Sequence, residues 1–199
     1  MLKRVFIAIN LPENLKKKLL EFQQKFKELP AKWVKKENLH LTLIFLGYLK
    51  DFHLEKVKEI TNKVSKEFSP FSVFLKRACF GPPKIFPPRL VWVELEKNEN
   101  LENLVKKLQN LLKENKIPFV IEEREFLPHI TLARIKKWEF QRMEPEERPK
   151  INEILKESFE VKSIEIMESH LKRSGAEYEV IESYPLLNQN AKCKMQNEK

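Results

Sequence analysis

Cysteine occurs twice in 199 residues, at positions 79 and 193, with no Cys-x-x-Cys pattern and no histidines at metal-ligand spacing. That excludes a disulfide framework and a zinc-finger type of metal centre, and it suits a reduced, cytoplasmic protein. Long apolar runs are absent too, so nothing spans a bilayer. The N-terminal apolar run of about six residues before Pro12 is shorter than the hydrophobic region of a signal peptide. Glycine appears three times and aspartate once, at Asp51, whereas Lys, Glu, Asn, Ile and Phe abound. The ion-pair networks of a heat-adapted protein and the codon bias of an AT-rich genome account for this composition equally well.

What the chain has in excess is positive charge: 38 Lys and Arg against 29 Asp and Glu, a formal net charge of +9. The cations are spread along the whole chain, which serves solubility and also suits an anionic partner such as RNA. The length is that of one medium domain with a real core. A single body over 1–187 is expected, followed by a polar tail at 188–199.

Hydrophobic periodicity divides the chain into elements. "RVFIAINL" (4–11) reads as a buried strand, and 12–28 as a helix with Leu15, Leu19, Phe22 and Phe26 on one face and Pro12 in its first turn. A strand "LHLTLIFLG" closed by Gly47, a helix over 52–68 and a strand over 71–81 follow. The loop "PPKIFPP" interrupts regular structure, because proline removes a backbone donor and restrains its predecessor. After it the order starts again, with a strand at 89–96, a helix at 98–115 and a strand at 126–135. A short helix at 149–158, a strand at 159–171, a turn at Gly175 and a strand at 177–186 complete the pattern.

The two halves share more than order. His40-Leu41-Thr42-Leu43 recurs as His129-Ile130-Thr131-Leu132, 89 residues later, and Glu-Asn-Leu opens both long helices, at 13 and 99. Repeat units of about 4–81 and 89–171, with room for interleaving, imply an internal duplication. In a strand, side chains alternate faces, so each histidine and its threonine point one way and the intervening apolar residues the other. If the units pack about a pseudo-two-fold axis, two imidazoles and two hydroxyls surround one phosphate-sized point.

Such a site can do phosphorus chemistry. Two groups with ordinary pKa values near 6.5, on opposite sides of a phosphorus, can supply a base and an acid for in-line displacement. The threonine hydroxyls can donate to non-bridging oxygens as their charge changes, and no metal is needed. A strained cyclic phosphodiester suits a catalyst of this strength.

Paired His-x-Thr motifs at this separation resemble those of the two-histidine phosphoesterases. Within them the chain is most similar to the RNA 2′,3′-cyclic phosphodiesterase, or 2′-5′ RNA ligase (LigT-like), family. The likeness extends over "RVFIAINLPENL", "WVKKENLHLTLIFLG", "FLPHITLAR" and the ending Ser169-x-Leu171, Gly175-x-x-Tyr178 and Pro185-Leu186. It implies a bilobal α+β fold, two antiparallel sheets facing across a central cleft with helices outside. It also implies no cofactor or metal, and hydrolysis of terminal 2′,3′-cyclic phosphates to 2′-phosphates. Carried over, His40 is the proton donor to the departing 3′ oxygen, His129 the acceptor that activates water, and Thr42 and Thr131 hold the phosphate. The turn "GAEY" departs from the family's usual proline at its second position.

Other residues are weaker candidates. Arg134 is an attractive phosphate or ribose ligand, but strict alternation from Thr131 turns it away from the site unless a bulge intervenes. Trp33, Phe86 and Trp138, with Lys32, Lys84, Lys136 and Lys137, suit base stacking and backbone binding or else rim packing. His53 and His170 lie outside the repeated motif and read as surface residues. The expected partners are RNA ends carrying 2′,3′-cyclic phosphate or nucleotide cyclic phosphates, with no membrane, for a monomer. A non-catalytic RNA- or nucleotide-binding module and a reversible 2′-5′ end-joining enzyme are the alternatives.

Overall fold

The computed structural model describes residues 1–119, 126–172 and 175–187. Cys193 and the tail at 188–199 lie outside the described residues. The elements are β1 (Leu2–Asn10), α1 (Glu13–Lys25), β2 (Ala31–Trp33), a 3₁₀ turn (Lys36–Asn38), β3 (His40–Lys50), α2 (Asp51–Ser65), β4 (Phe71–Gly81) and β5 (Leu90–Leu95). There follow α3 (Glu99–Glu114), β6 (His129–Ile135), α4 (Lys137–Arg142), β7 (Asn152–Ile154), β8 (Ser158–Val161), β9 (Ser163–Lys172) and β10 (Gly175–Pro185).

Apolar spacing explains the helices. Leu15, Leu19 and Phe22 bury one face of α1, and Leu101, Leu104, Val105, Leu108 and Leu112 do so on α3. The Asn98 side chain caps α3 by accepting from the Leu101 N–H at 3.0 Å. Among the described residues, no helix is long and apolar enough to cross a membrane.

The strands run in the order β10-β9-β1-β3-β6-β5-β4-β7, with β2 also on β6 and β8 also on β4. Neighbours are antiparallel. Two half-sheets, β10-β9-β1-β3 and β6-β5-β4-β7, meet through the register pair Leu41↔Ile130. The last strands of the repeats are exchanged: β4 pairs with β5 and β9 pairs with β1. Each lobe of this α+β duplication is thus built from both halves of the sequence. Leu39, Leu41, Ile130 and Leu132 are fully buried at the join, at roughly 1.5–3 kcal/mol of stabilisation each. The His-x-Thr strands are fastened there by their apolar residues.

Two expectations need correction. There is no helix at 149–158: β7 and the start of β8 lie there, while a short helix, α4, forms at 137–142. Pairing with the edge of β4 (Arg77↔Ile154, Ala78↔Glu153, Cys79↔Asn152) overrides the local helical preference. Nor does Gly47 end its strand. It sits inside β3 at φ +73°, beside a bulge where Val5 pairs with Gly47 and Phe6 with Phe45, a conformation that glycine adopts without strain.

Candidate active site

Continuing the Leu41↔Ile130 register by one residue in each direction sets His40 across from Thr131 and Thr42 across from His129. All four are half-buried. They stand over the join of the lobes, on the face opposite to the core leucines.

The two imidazoles are anchored alike. Nδ1 of His40 lies 2.7 Å from the Asn38 carbonyl and Nδ1 of His129 lies 2.8 Å from the Leu127 carbonyl. A carbonyl only accepts, so Nδ1 carries the proton in each neutral ring and Nε2 is its basic nitrogen. Nε2 of His40 is 2.9 Å from Oγ1 of Thr42, and the hydroxyl donates to it while the ring is neutral.

Their surroundings differ. Phe6 and Tyr178 each lie 5.0 Å from the His40 ring, Tyr178 edge-on at 88°. Burial pushes the His40 pKa down to about 4; the Asn38 carbonyl opposes this, and positive charge on His129, Lys16 and Arg134 adds to it. His129 instead rests on the Trp92 indole, with ring centroids 4.4 Å apart and planes tilted by 43°. Trp92 lies against Gly81 so closely that a methyl group at Gly81 would fall inside the indole. This glycine is required by close approach, not by its backbone angles.

A bulge decides the position of Arg134. Thr131 pairs with Trp92 and Ala133 with Val91, leaving Leu132 as the extra residue. Its carbonyl is satisfied by the Val34 N–H at 2.8 Å and by Gln23 Nε2 at 3.2 Å. The bulge resets the alternation, so exposed Arg134 returns to the face of His129 and Thr131, close enough for its charge to bear on His40. The first lobe repeats the device. Thr42 pairs with Ala8 and Ile44 with Ile7, leaving Leu43 extra. Phe45, the counterpart of Arg134, is thereby returned to the site face, 58% exposed and 6.2 Å from the Phe6 ring.

Phe45, Phe6, Tyr178, Trp92 and Asn38 were not legible as site residues from spacing alone. Phe45 had one signal, since it stands five residues after its histidine, as Arg134 does. The other candidates fall elsewhere. Trp33 is half-buried against the core in β2, with its indole nitrogen buried and unpartnered. Phe86 packs under Arg148 and edge-on against Phe140, and Trp138 is exposed on α4. Lys136 pairs with Glu139 at 3.1 Å, Lys32 lies against Gly175, and Lys84 and Lys137 stand in the loop and on α4. His53 lies tilted against Phe52, and His170 lies 3.3 Å from Glu179. Among the described residues, no three of His, Cys, Asp and Glu gather as metal ligands.

A family model described as LigT like Phosphoesterase matches the chain twice, over residues 9–92 and 93–178. A protein of Methanocaldococcus jannaschii named RNA 2′,3′-cyclic phosphodiesterase is 34% identical over 181 residues, 91% of this chain and 99% of that protein. One of Thermotoga maritima with the same name is 34% identical over 142 residues, 68% of this chain and 74% of its own. Among solved structures, TT0787 of Thermus thermophilus is similar at a TM-score of 0.81 and 26% identity, covering 94% of this chain and 99% of that one. E. coli LigT complexed with 3′-AMP is similar in fold, at a TM-score of 0.76 and 23% identity, over 94% of this chain and 100% of that one.

Proposed function

This chain belongs to the LigT-like phosphoesterase family, and from that premise we propose that it hydrolyses the 2′,3′-cyclic phosphate at an RNA end to a 2′-phosphate. The observation that carries the reading is the matched pair of histidines, each tied at Nδ1 to a backbone carbonyl two residues upstream. In each ring Nε2 is then the nitrogen that exchanges protons with a phosphate between the lobes. The names of the relatives and the net charge of +9 support an RNA substrate.

In the reaction, water attacks phosphorus as His129 takes its proton, the P–O3′ bond breaks in line, and His40 gives a proton to O3′. Thr42 and Thr131 donate to the non-bridging oxygens, and the Arg134 guanidinium adds positive charge on the same face. Phe45 offers a flat apolar surface for the nucleobase. Each proton transfer contributes roughly 10²- to 10⁴-fold, and ring strain supplies part of the remainder. Neither transfer calls for a metal.

The test is incubation, in excess EDTA, with a short RNA ending in a 2′,3′-cyclic phosphate, followed by separation of 2′- from 3′-phosphate products. Conversion to the 2′-phosphate is expected, and it should be lost in folded His40→Ala and His129→Ala. Normal turnover by either variant would refute the two-histidine mechanism. Binding of the RNA without conversion would make the chain a binding module.

A further inference from the structure

Asn38 ends the 3₁₀ turn, two residues before His40, and is 7% exposed. Besides the turn bond from its N–H to the Lys35 carbonyl at 3.0 Å, it makes three hydrogen bonds in three directions. Its carbonyl accepts from His40 Nδ1 at 2.7 Å, its Nδ2 donates to the Ala176 carbonyl at 2.7 Å, and its Oδ1 accepts from the Tyr178 N–H at 3.3 Å. The last two partners lie on one edge of β10, two residues apart, where successive groups of a strand face the same neighbour. The amide therefore does for β10 what a residue of another strand would do. The first-lobe sheet has β3 at one end and β10 at the other, with β1 and β9 between them. Asn38, just ahead of β3, ties these two ends together.

The tie has a consequence for His40. Tyr178, docked by Oδ1 of Asn38, stands edge-on to the imidazole and 5.1 Å from Phe6. One residue therefore sets both the proton on Nδ1, through its carbonyl, and the aromatic wall that keeps water off the ring. The second lobe has no such tie through the equivalent residue: the carbonyl partner of His129 belongs to Leu127, whose apolar side chain is 54% exposed.

We infer that Asn38 is a positioning residue for His40, acting through a bidentate amide clamp on β10 that aims the Asn38 carbonyl at Nδ1 and docks the aromatic wall of one histidine but not of the other. The inference rests on the reading of His40 as an acid–base group, and its test does not depend on turnover alone.

Asn38→Asp keeps size and shape but replaces the donor facing the Ala176 carbonyl with an oxygen, and Asn38→Leu, which opens the clamp without adding a charge that would itself raise the His40 pKa, is read beside it. The readout is NMR titration of the His40 ring, whose charged neighbours are His129 and Arg134 from β6 and Lys16 from α1. With the clamp open, the His40 pKa should rise from about 4 toward 6.5. Its nitrogen shifts should report mixed tautomers, while His129 stays as in the parent protein. Catalysis should fall mainly in kcat, by up to about 10²-fold, with KM changed little, as misplacement of a reacting group costs. Tyr178→Leu, which removes the wall and leaves the amide, should raise the His40 pKa alone and keep the Nδ1 tautomer. Unchanged His40 titration in either folded Asn38 variant, or a rise confined to the charged Asn38→Asp, would overturn the inference, as would a loss of stability with kcat and tautomer intact. If Asn38→Asp does not fold, an unchanged His40 pKa in Tyr178→Leu overturns the wall. If the parent protein proves inactive yet His40 responds as described, the clamp stands and the proposed activity falls.

Discussion

His40 should gain its proton together with the substrate. At pH 7 a ring whose pKa is held at about 4 is neutral, and charging it costs ~4 kcal/mol at 1.36 kcal/mol per unit. An acid for the departing oxygen needs that cost offset. A phosphate bearing one negative charge about 4 Å from the ring, at an effective dielectric constant near 20, supplies ~4 kcal/mol. The two figures match, so an anion seated between the histidines should bring the His40 pKa close to neutrality. It also screens the positive charges of Lys16 and Arg134 that help hold the ring neutral. The assay is NMR titration of the four imidazoles, with His40 assigned by loss of its signals in His40→Asn, without ligand and with saturating nucleoside 2′-monophosphate. Titration near 4 alone and near 7 with ligand is expected. Free titration near 6.5 would refute the reasoning, and a low pKa unmoved by ligand would refute it and take the acid role from His40.

Because the folded pKa of His40 is depressed from 6.5 to about 4, the unfolded chain binds the extra proton between these values and stability falls as the pH falls through them. The contribution is fully present above 6.5, and ~3 kcal/mol of it is lost by pH 4. Denaturant titrations over this range should show that loss in the parent protein beyond any shown by His40→Asn. Thr131→Val, which keeps the shape and removes a donor to the phosphate, should lower kcat by about 10²- to 10³-fold with a small change in stability. Full activity in that variant would make Thr131 a packing residue. Gly81→Ala should force the Trp92 indole off its seat, with ~1–3 kcal/mol of overpacking. The cyclic-phosphate assay should then show lower turnover because His129 rests on that indole. An unchanged kcat with unchanged stability would mean that the backbone at Gly81 yields instead.

Much of this site is local in sequence. Alternation in a strand is a property of consecutive residues, so once His40-Leu41-Thr42 and His129-Ile130-Thr131 read as strands, their shared polar face follows. Duplication is also local, being a comparison of one stretch with another. The β4 strand, 71–81, has the bounds that its apolar run and flanking breakers imply. The stretch at 149–158 misled because its short apolar pattern is compatible with a helix, and the choice fell to a partner on β4.

The sequence by itself determined the repeated units, the chemically capable residues and the face each presents inside its own strand, because these depend on neighbours one to four positions away. The tertiary structure decided which strands pair and where the register slips. Two bulges turned Phe45 and Arg134 to the site face, and the exchange of β4 and β9 between repeats joined the lobes. It also gave the two like histidines unlike environments: Tyr178 reaches His40 through a bond spanning 140 residues, Tyr178 N–H to Asn38. Pairing and burial of this kind arise from contacts between distant segments, so the same His-x-Thr motif holds one imidazole in a dry aromatic pocket and the other on the Trp92 indole.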